Sequence, residues 1–256
     1  MQFIKTVFTL FIFGAALAFP ALAQETEDLD AKERFEFEQK VREFILANPE
    51  VIAEAIRILN ERADAASKES TKLALLKNRE LLINDPLSIV LGNPEGDVTL
   101  VEFYDYRCPY CRDSHEKILR LLASDPGVRL VLKQFPVKDR PGETPVSLIS
   151  ARLAKVAHEQ GVFEAFHNAM FEAQPPLTRD RVFQIATRAG VSMDKILDQM
   201  SNPLITKHLR ETMILANAIG ATGTPTFVMG EFVIPGAVDY EIFLQLVEYT
   251  RSQKVD

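Results

Sequence analysis

The sequence predicts an α/β fold built on a small sheet, with a helical insertion in its middle and a helical extension ahead of it. Three observations carry that expectation. A run of β-formers, Val98 to Tyr104, feeds a helix that stops at Asp125-Pro126-Gly127 and is followed by a second run, Val128 to Phe135; a strand-helix-strand unit of this kind is parallel and right-handed. Residues 144 to 219 then hold only helical patterns and helix punctuation. After them strands return: Thr226 to Met229 and Glu231 to Ile234 flank Gly230 as an antiparallel hairpin, and Tyr240 to Arg251 closes the chain as a helix.

Taken from the start, Lys5 precedes an apolar run that ends at Ala21-Leu22-Ala23, the small-x-small form at which exported proteins are cleaved. Residues 1–23 read as a signal peptide cut after Ala23; the competing reading, a membrane anchor, is disfavoured by Phe19-Pro20 inside the run and by the acidic residues that follow it. Residues 24–86 form an extension rich in Glu, Lys, Arg, Ala and Leu, with helices at about 30 to 46 and 49 to 83 separated at Asn48-Pro49. Ile52, Ile56, Leu59, Ala63, Ala66, Ser70 and Leu73 follow a four-three spacing, which suits either a coiled coil joining protomers or a helix lying on the main domain. The main domain spans 87–256. Its first strand, VTLVEFY, is nearly continuous in β-formers, as a central strand covered on both faces should be. Within the insertion, Gly161, Pro175-Pro176, Thr178, Gly190, Ser192, Asn202-Pro203 and Gly220 mark successive helix ends and starts. This order of elements is that of a thioredoxin fold with an inserted helical domain.

With 47% hydrophobic residues the chain has ample material for a core. Its formal charge of −7, or −8 once Lys5 is removed, opposes binding to nucleic acid or anionic lipid and favours protein or small-molecule partners. The two cysteines lie together in Arg107-Cys108-Pro109-Tyr110-Cys111-Arg112. A disulfide closing so short a loop removes unfolded-chain entropy worth only about 2 kcal/mol, a poor reason for stapling a chain with this much core.

Pro109 suits the first helical position, which puts Cys108 at the cap, where exposed N–H groups and the helix dipole stabilise a thiolate. Cys111 lies one turn further on the same side and can attack the first sulfur. The pair therefore reads as nucleophile and resolving thiol, with no cofactor beyond their own redox-active disulfide. A metal clip is the bland alternative, but two sulfurs half-fill a tetrahedral site and no second cysteine pair exists, so no metal site is assigned. His115, His158, His167 and His208 read as solvated helix residues rather than ligands. Glu102 stands inside an apolar strand, where an unpaired carboxylate is costly; buried near the thiols it can accept the Cys111 proton, and the alternative is an edge-exposed Glu.

These residues resemble the DsbA-like family of periplasmic thioredoxin-fold proteins, and within it the ScsC-like members with a Cys-Pro-Tyr-Cys active site. The matching segments are Val101 to Cys111, then Phe135-Pro136, then Gly223-Thr224-Pro225-Thr226-Phe227. The resemblance implies that Glu102 is the buried acid, that the bond before Pro225 is cis, and that the Thr224 backbone pairs with an extended substrate segment opposite Cys108. It also implies a periplasmic thiol-disulfide oxidoreductase acting on exported client proteins with cysteines and reset by a membrane redox partner. Tyr110 stands where the DsbA oxidase has His, and Thr224 where it has Val. Fewer groups then stabilise the reduced form, which favours isomerase or reductase duty over oxidation. The alternatives are a DsbA-type oxidase and, in another class, a copper-binding or copper-tolerance protein, since copper(I) accepts few soft ligands.

Overall fold

The computed structural model describes residues 30–253, so the predicted leader, residues 1–23, lies outside the described residues. The chain divides after Asn60 into two compact units. In the first, helix α1 (Ala31–Ala47) ends where the backbone N–H and the side-chain amide of Asn48 both donate to the Phe44 carbonyl, at 2.9 and 2.8 Å. Pro49, lacking an N–H, then starts a new course, and α2 (Glu50–Lys77) follows. No residue of α1 is buried, and Phe35, Phe44, Leu46, Ile52, Ile56 and Leu59 all face solvent.

The second unit contains the rest of α2 and everything after it. The helix expected to run to residue 83 breaks at Asn78, whose side-chain amide donates to the Ala74 carbonyl at 2.8 Å, and a short α3 (Arg79–Ile83) resumes. Such local side-chain bonds compete with the helical ladder. Five strands make the sheet: β1 (Ile89–Gly92), β2 (Val98–Tyr104), β3 (Val128–Gln134), β4 (Thr226–Met229) and β5 (Phe232–Pro235), in the order β1-β3-β2-β4-β5. β2 and β3 are parallel; every other pair is antiparallel. β1 went unread because a four-residue run carries little alternation. The hairpin register pairs Met229 with Phe232, so its second strand begins one residue later than expected and Gly230, at φ 59°, takes the first turn position.

Helix α4 (Pro109–Ser124) links β2 to β3, and the insertion supplies α5 (Val146–Glu159), α6 (Phe163–Glu172), α7 (Arg179–Arg188), α8 (Met193–Gln199) and α9 (Pro203–Ala218) before α10 (Tyr240–Ser252). Alternation along β2 sorts the core into two layers. Leu100 and Tyr104 pack with Cys108, Cys111, Ile118, Leu121 and Phe243, whereas Val101 and Phe103 pack with Leu75, Leu82, Val131, Leu215 and Ile219. Glu102, two residues from both Leu100 and Tyr104, shares the face covered by α4.

Candidate active site

The site grows from the carboxyl end of β2, where the strand turns into α4. Asp105 shapes this turn: one carboxylate oxygen accepts the Arg107 N–H at 2.8 Å and the other accepts the N–H groups of Val137 and Lys138 at 2.8 and 2.9 Å. Its carbonyl accepts the Cys108 N–H at 3.0 Å. Arg107 extends the clamp to Asp139 at 3.0 Å, and Asp139 in turn accepts the first N–H groups of α5, from Ser147 and Leu148. None of this clamp was read from the sequence; Asp105 gave no periodic or spacing signal, since its role depends on a loop about thirty residues away.

Cys108 occupies the N-cap of α4 in extended conformation, with Pro109 in the first turn, as the cap chemistry predicts. Both thiols are free and both are fully buried. The Cys108 Sγ lies under the Thr224 carbonyl, to which the neutral thiol donates at 3.0 Å. Pro109 and Tyr110 instead form the exposed surface of the motif. Once ionised, Cys108 accepts a hydrogen bond from the Cys111 thiol, and this holds it down to about 5 against the cost of burying charge. Thr224 and the N–H groups of Cys111 and Tyr110 add to the stabilisation. Cys111 moves the other way. Burial first, then its bond to Cys108 and the neighbouring Glu102 charge, push its thiol up. Two chemically identical groups one turn apart are thus driven in opposite directions, Cys108 toward the thiolate and Cys111 toward the protonated thiol.

Glu102 is buried in the central strand rather than exposed at an edge, and one of its oxygens, Oε1, has no hydrogen-bond partner. Burial, and next the Cys108 charge, raise it to about 8. The second cause is conditional on the state of the sulfur. Without the Cys108 charge this second cause vanishes and Glu102 becomes more acidic, while burial continues to raise it.

The Thr224-Pro225 peptide bond is cis, and both residues are buried beside Cys108. The turn is secured by Thr226 Oγ1, which donates to the Gly223 carbonyl at 2.7 Å, and by the Gly236 N–H, which donates to the Pro225 carbonyl at 2.8 Å. A second cis bond, Pro175-Pro176, lies in the insertion.

The histidines depart from their solvated reading. His158 is exposed, but His115, His167 and His208 are buried. His115 stacks against Phe171 at 4.7 Å, and its burial holds it down to about 4. His167 meets Tyr106, and His208 donates from Nε2 to Asp85 at 2.8 Å in a cluster with the fully buried Lys133. Their partners come from distant elements, which sequence spacing does not reveal. Among the described residues no group of three His, Cys, Asp or Glu side chains assembles as a metal cluster.

Comparison with known proteins places this geometry. The DSBA-like thioredoxin domain matches residues 99–248, and the N-terminal domain of the copper resistance protein ScsC matches residues 33–66. The crystal structure of a thioredoxin-like oxidoreductase from Silicibacter pomeroyi DSS-3 is similar, with a TM-score of 0.65 and 39% identity, covering 68% of this chain and 98% of its own. Disulfide bond formation protein D of Bacillus subtilis is 23% identical over 171 residues, which cover 62% of this chain and 75% of that protein. A Na(+)/H(+) antiporter NhaA 3 of Salinispora tropica is 28% identical over 138 residues, covering 54% of this chain, and the chain spans only 21% of that protein's length. With a family match over more than half its length, this chain belongs to the DSBA-like thioredoxin domain family.

Proposed function

We propose that this chain is a protein thiol-disulfide oxidoreductase that works by dithiol-disulfide exchange through Cys108 and Cys111. The observation that carries the reading is a cysteine at a helix N-cap held down to about 5, beside the cis Pro225 and one turn from a thiol of opposite tendency. Cys108 attacks one sulfur of a substrate disulfide, and the other leaves as a thiolate. Cys111, its proton passing to Glu102, then attacks Cys108 and releases the second substrate sulfur. The Thr224 backbone pairs with the extended client segment across from Cys108.

Within that reaction class, isomerisation or reduction is favoured over bulk oxidation. Tyr110 and Thr224, the two positions that depart from the oxidase pattern, leave fewer groups to stabilise the reduced form, and thiolate stabilisation sets how strongly that form is preferred. The export pattern of residues 1–23 supports a periplasmic site of action on exported proteins. The exposed apolar stripe of Ile52, Ile56 and Leu59 supports assembly of protomers through the N-terminal helices, which presents several sites to one client. Light scattering on the mature protein and on a version beginning near Asp85 tests assembly; two monomer masses reject it.

Refolding of scrambled, multiply disulfide-bonded substrate tests the reaction. A gain in correctly paired product supports the reading, whereas efficient oxidation of reduced substrate without that gain moves the assignment to an oxidase. A second reading, copper handling, rests on the match of residues 33–66 to the ScsC N-terminal domain. It predicts stoichiometric copper(I) retention by the reduced protein that is lost when both cysteines become Ser.

A further inference from the structure

A second concentration of buried charge lies away from the thiols. Lys133 shares the face of β3 that carries Val131, opposite α4, and its Nζ bonds Asp85 Oδ2 at 2.9 Å. The same carboxylate oxygen accepts from His208 Nε2 and from Ser88 Oγ, each at 2.8 Å. Asp85 is thus fully engaged, and its negative charge is matched by Lys133. A further lysine, Lys155 on α5, is only 6% exposed and stands within electrostatic range of both. Its Nζ donates to the Leu87 carbonyl, which accounts for one of its donors, and among the described residues it forms no ion pair. Burial above all, with Lys133 adding to it, holds this amine down to about 7 against the pull of Asp85 and Glu159. When protonated, Lys155 is a buried cation without a counter-ion, a costly arrangement unless a ligand supplies the missing charge.

Lys155 borders a cavity of about 130 Å³ between the turn after Asp85, the end of α5 and the first turn of α9. Its walls are mainly aliphatic, from Pro86, Leu87, Leu204 and Ile205, and Leu87 and Leu204 are well exposed, so the mouth is apolar. Buried His208 also lines it, and His208 Nδ1 has no hydrogen-bond partner. Helix α9, sixteen residues long, brings the positive end of its dipole to the cavity. Among the described lining residues the carboxylate is that of Glu159, which is solvent-exposed beside His158. The volume is well below the roughly 300–1,000 Å³ of sites for drug-sized molecules, which limits the occupant to a small one.

We propose that this cavity is a binding site for a small aliphatic carboxylate, whose head group pairs with Lys155 and whose chain lies between Leu87 and Leu204. Binding sets two lysines, Lys133 and Lys155, against two carboxylates, those of Asp85 and the ligand. It also couples to protons, because a carboxylate beside Lys155 favours the ammonium form. The groups facing that amine are Asp85 from the turn, Lys133 from β3, His158 and Glu159 from α5, and His208 from α9. The site is separate from the exchange reaction, since the thiols pack with α4 on the other face of the sheet.

The test titrates hexanoate into the full chain in its disulfide form, by calorimetry at pH 7 in two buffers of different ionisation heat. Hexanoate should saturate with a Kd on the order of 1 mM or tighter. The two buffers should differ by the heat of taking up about half a proton per ligand, because an amine at about 7 is half protonated before binding. Hexanol, with the same chain and no charge, should bind at least about tenfold more weakly, as should hexanoate to Lys155→Met, which keeps the side-chain length and removes the amine. Proton uptake should vanish in that variant. Leu204→Glu changes an exposed position, leaves the core intact should the first variant fail to fold, and should weaken hexanoate about fivefold by placing like charge at the mouth. No saturation below about 50 mM overturns the proposal. So do equal affinities for hexanol and hexanoate, wild-type proton uptake in Lys155→Met, or a Leu204→Glu isotherm that overlays the wild type.

Discussion

Replacing Glu102 by Gln gives the sharpest check on the electrostatics of the site. A buried carboxyl raised to about 8 from an ordinary 4.5 holds, at neutral pH, a proton in the folded state that it loses on unfolding. The sign is that of a raised group: its stabilising contribution is complete below about 4.5 and is lost as pH rises toward 8. At about 1.4 kcal/mol per pKa unit, the reduced wild type should lose on the order of 3 kcal/mol between pH 4.5 and pH 7 through this residue alone. Glu102→Gln lacks that dependence. Its amide carries its own cost, roughly 1–3 kcal/mol if a donor is left unpaired, but that cost does not change with pH and cancels between the two conditions. Urea unfolding followed by far-ultraviolet circular dichroism suits a chain without tryptophan. The variant should gain on the wild type by about 3 kcal/mol on going from pH 4.5 to pH 7 in the reduced state. It should gain less in the disulfide state, because the Cys108 charge that helps to raise Glu102 is then gone. A difference between variant and wild type that is flat across pH, or that grows on oxidation, refutes the reasoning.

Further outcomes follow from neighbouring groups. Alkylation of reduced protein by iodoacetamide should show Cys108 reacting with a midpoint near 5 while Cys111 stays protected at neutral pH; a single midpoint near 8.5 for both would remove the distinction between them. Asp105→Ala strands the N–H groups of Arg107, Val137 and Lys138 and should cost about 2–4 kcal/mol in urea unfolding, with slower adduct formation at Cys108; a loss below about 0.5 kcal/mol contradicts the clamp. Asp85→Asn leaves buried Lys133 without its carboxylate and should cost about 3–5 kcal/mol at pH 7. Asp85 is held well below the usual carboxylate range by His208 and Lys133, which outweigh the opposing burial, so wild-type stability from this cluster should be present above about pH 4 and fall away below it. A variant whose acid titration overlays the wild type rejects that assignment.

Patterns along the chain determined a good deal here. Alternation and turn residues suffice to place β2, β3 and β4, and a proline after Cys108 with a leucine-rich run beyond it suffices to place α4 and the cap, because caps and periodicity depend on residues within one or two turns. The burial of Glu102 was legible for the same reason: its immediate neighbours are apolar, and the cost of exposing them settles where the strand goes. A four-residue strand such as β1, or a break made by one amide at Asn78, falls below what local pattern resolves.

What tertiary structure alone decided is everything set by contacts between segments far apart in the chain. Neighbouring residues mark Cys108 only as a helix cap; its burial came with the Thr224 carbonyl, 116 residues on, brought over it. His167 looked like one more polar residue on a helix until Tyr106, 61 residues earlier, reached it. Asp105 had no visible task until the Val137 and Lys138 N–H groups arrived. Local sequence specifies conformation because neighbours share dihedral and solvation preferences; it does not specify pKa, burial of a polar atom or the direction of a hydrogen-bond chain, because those are energies of groups that meet only when the chain has closed.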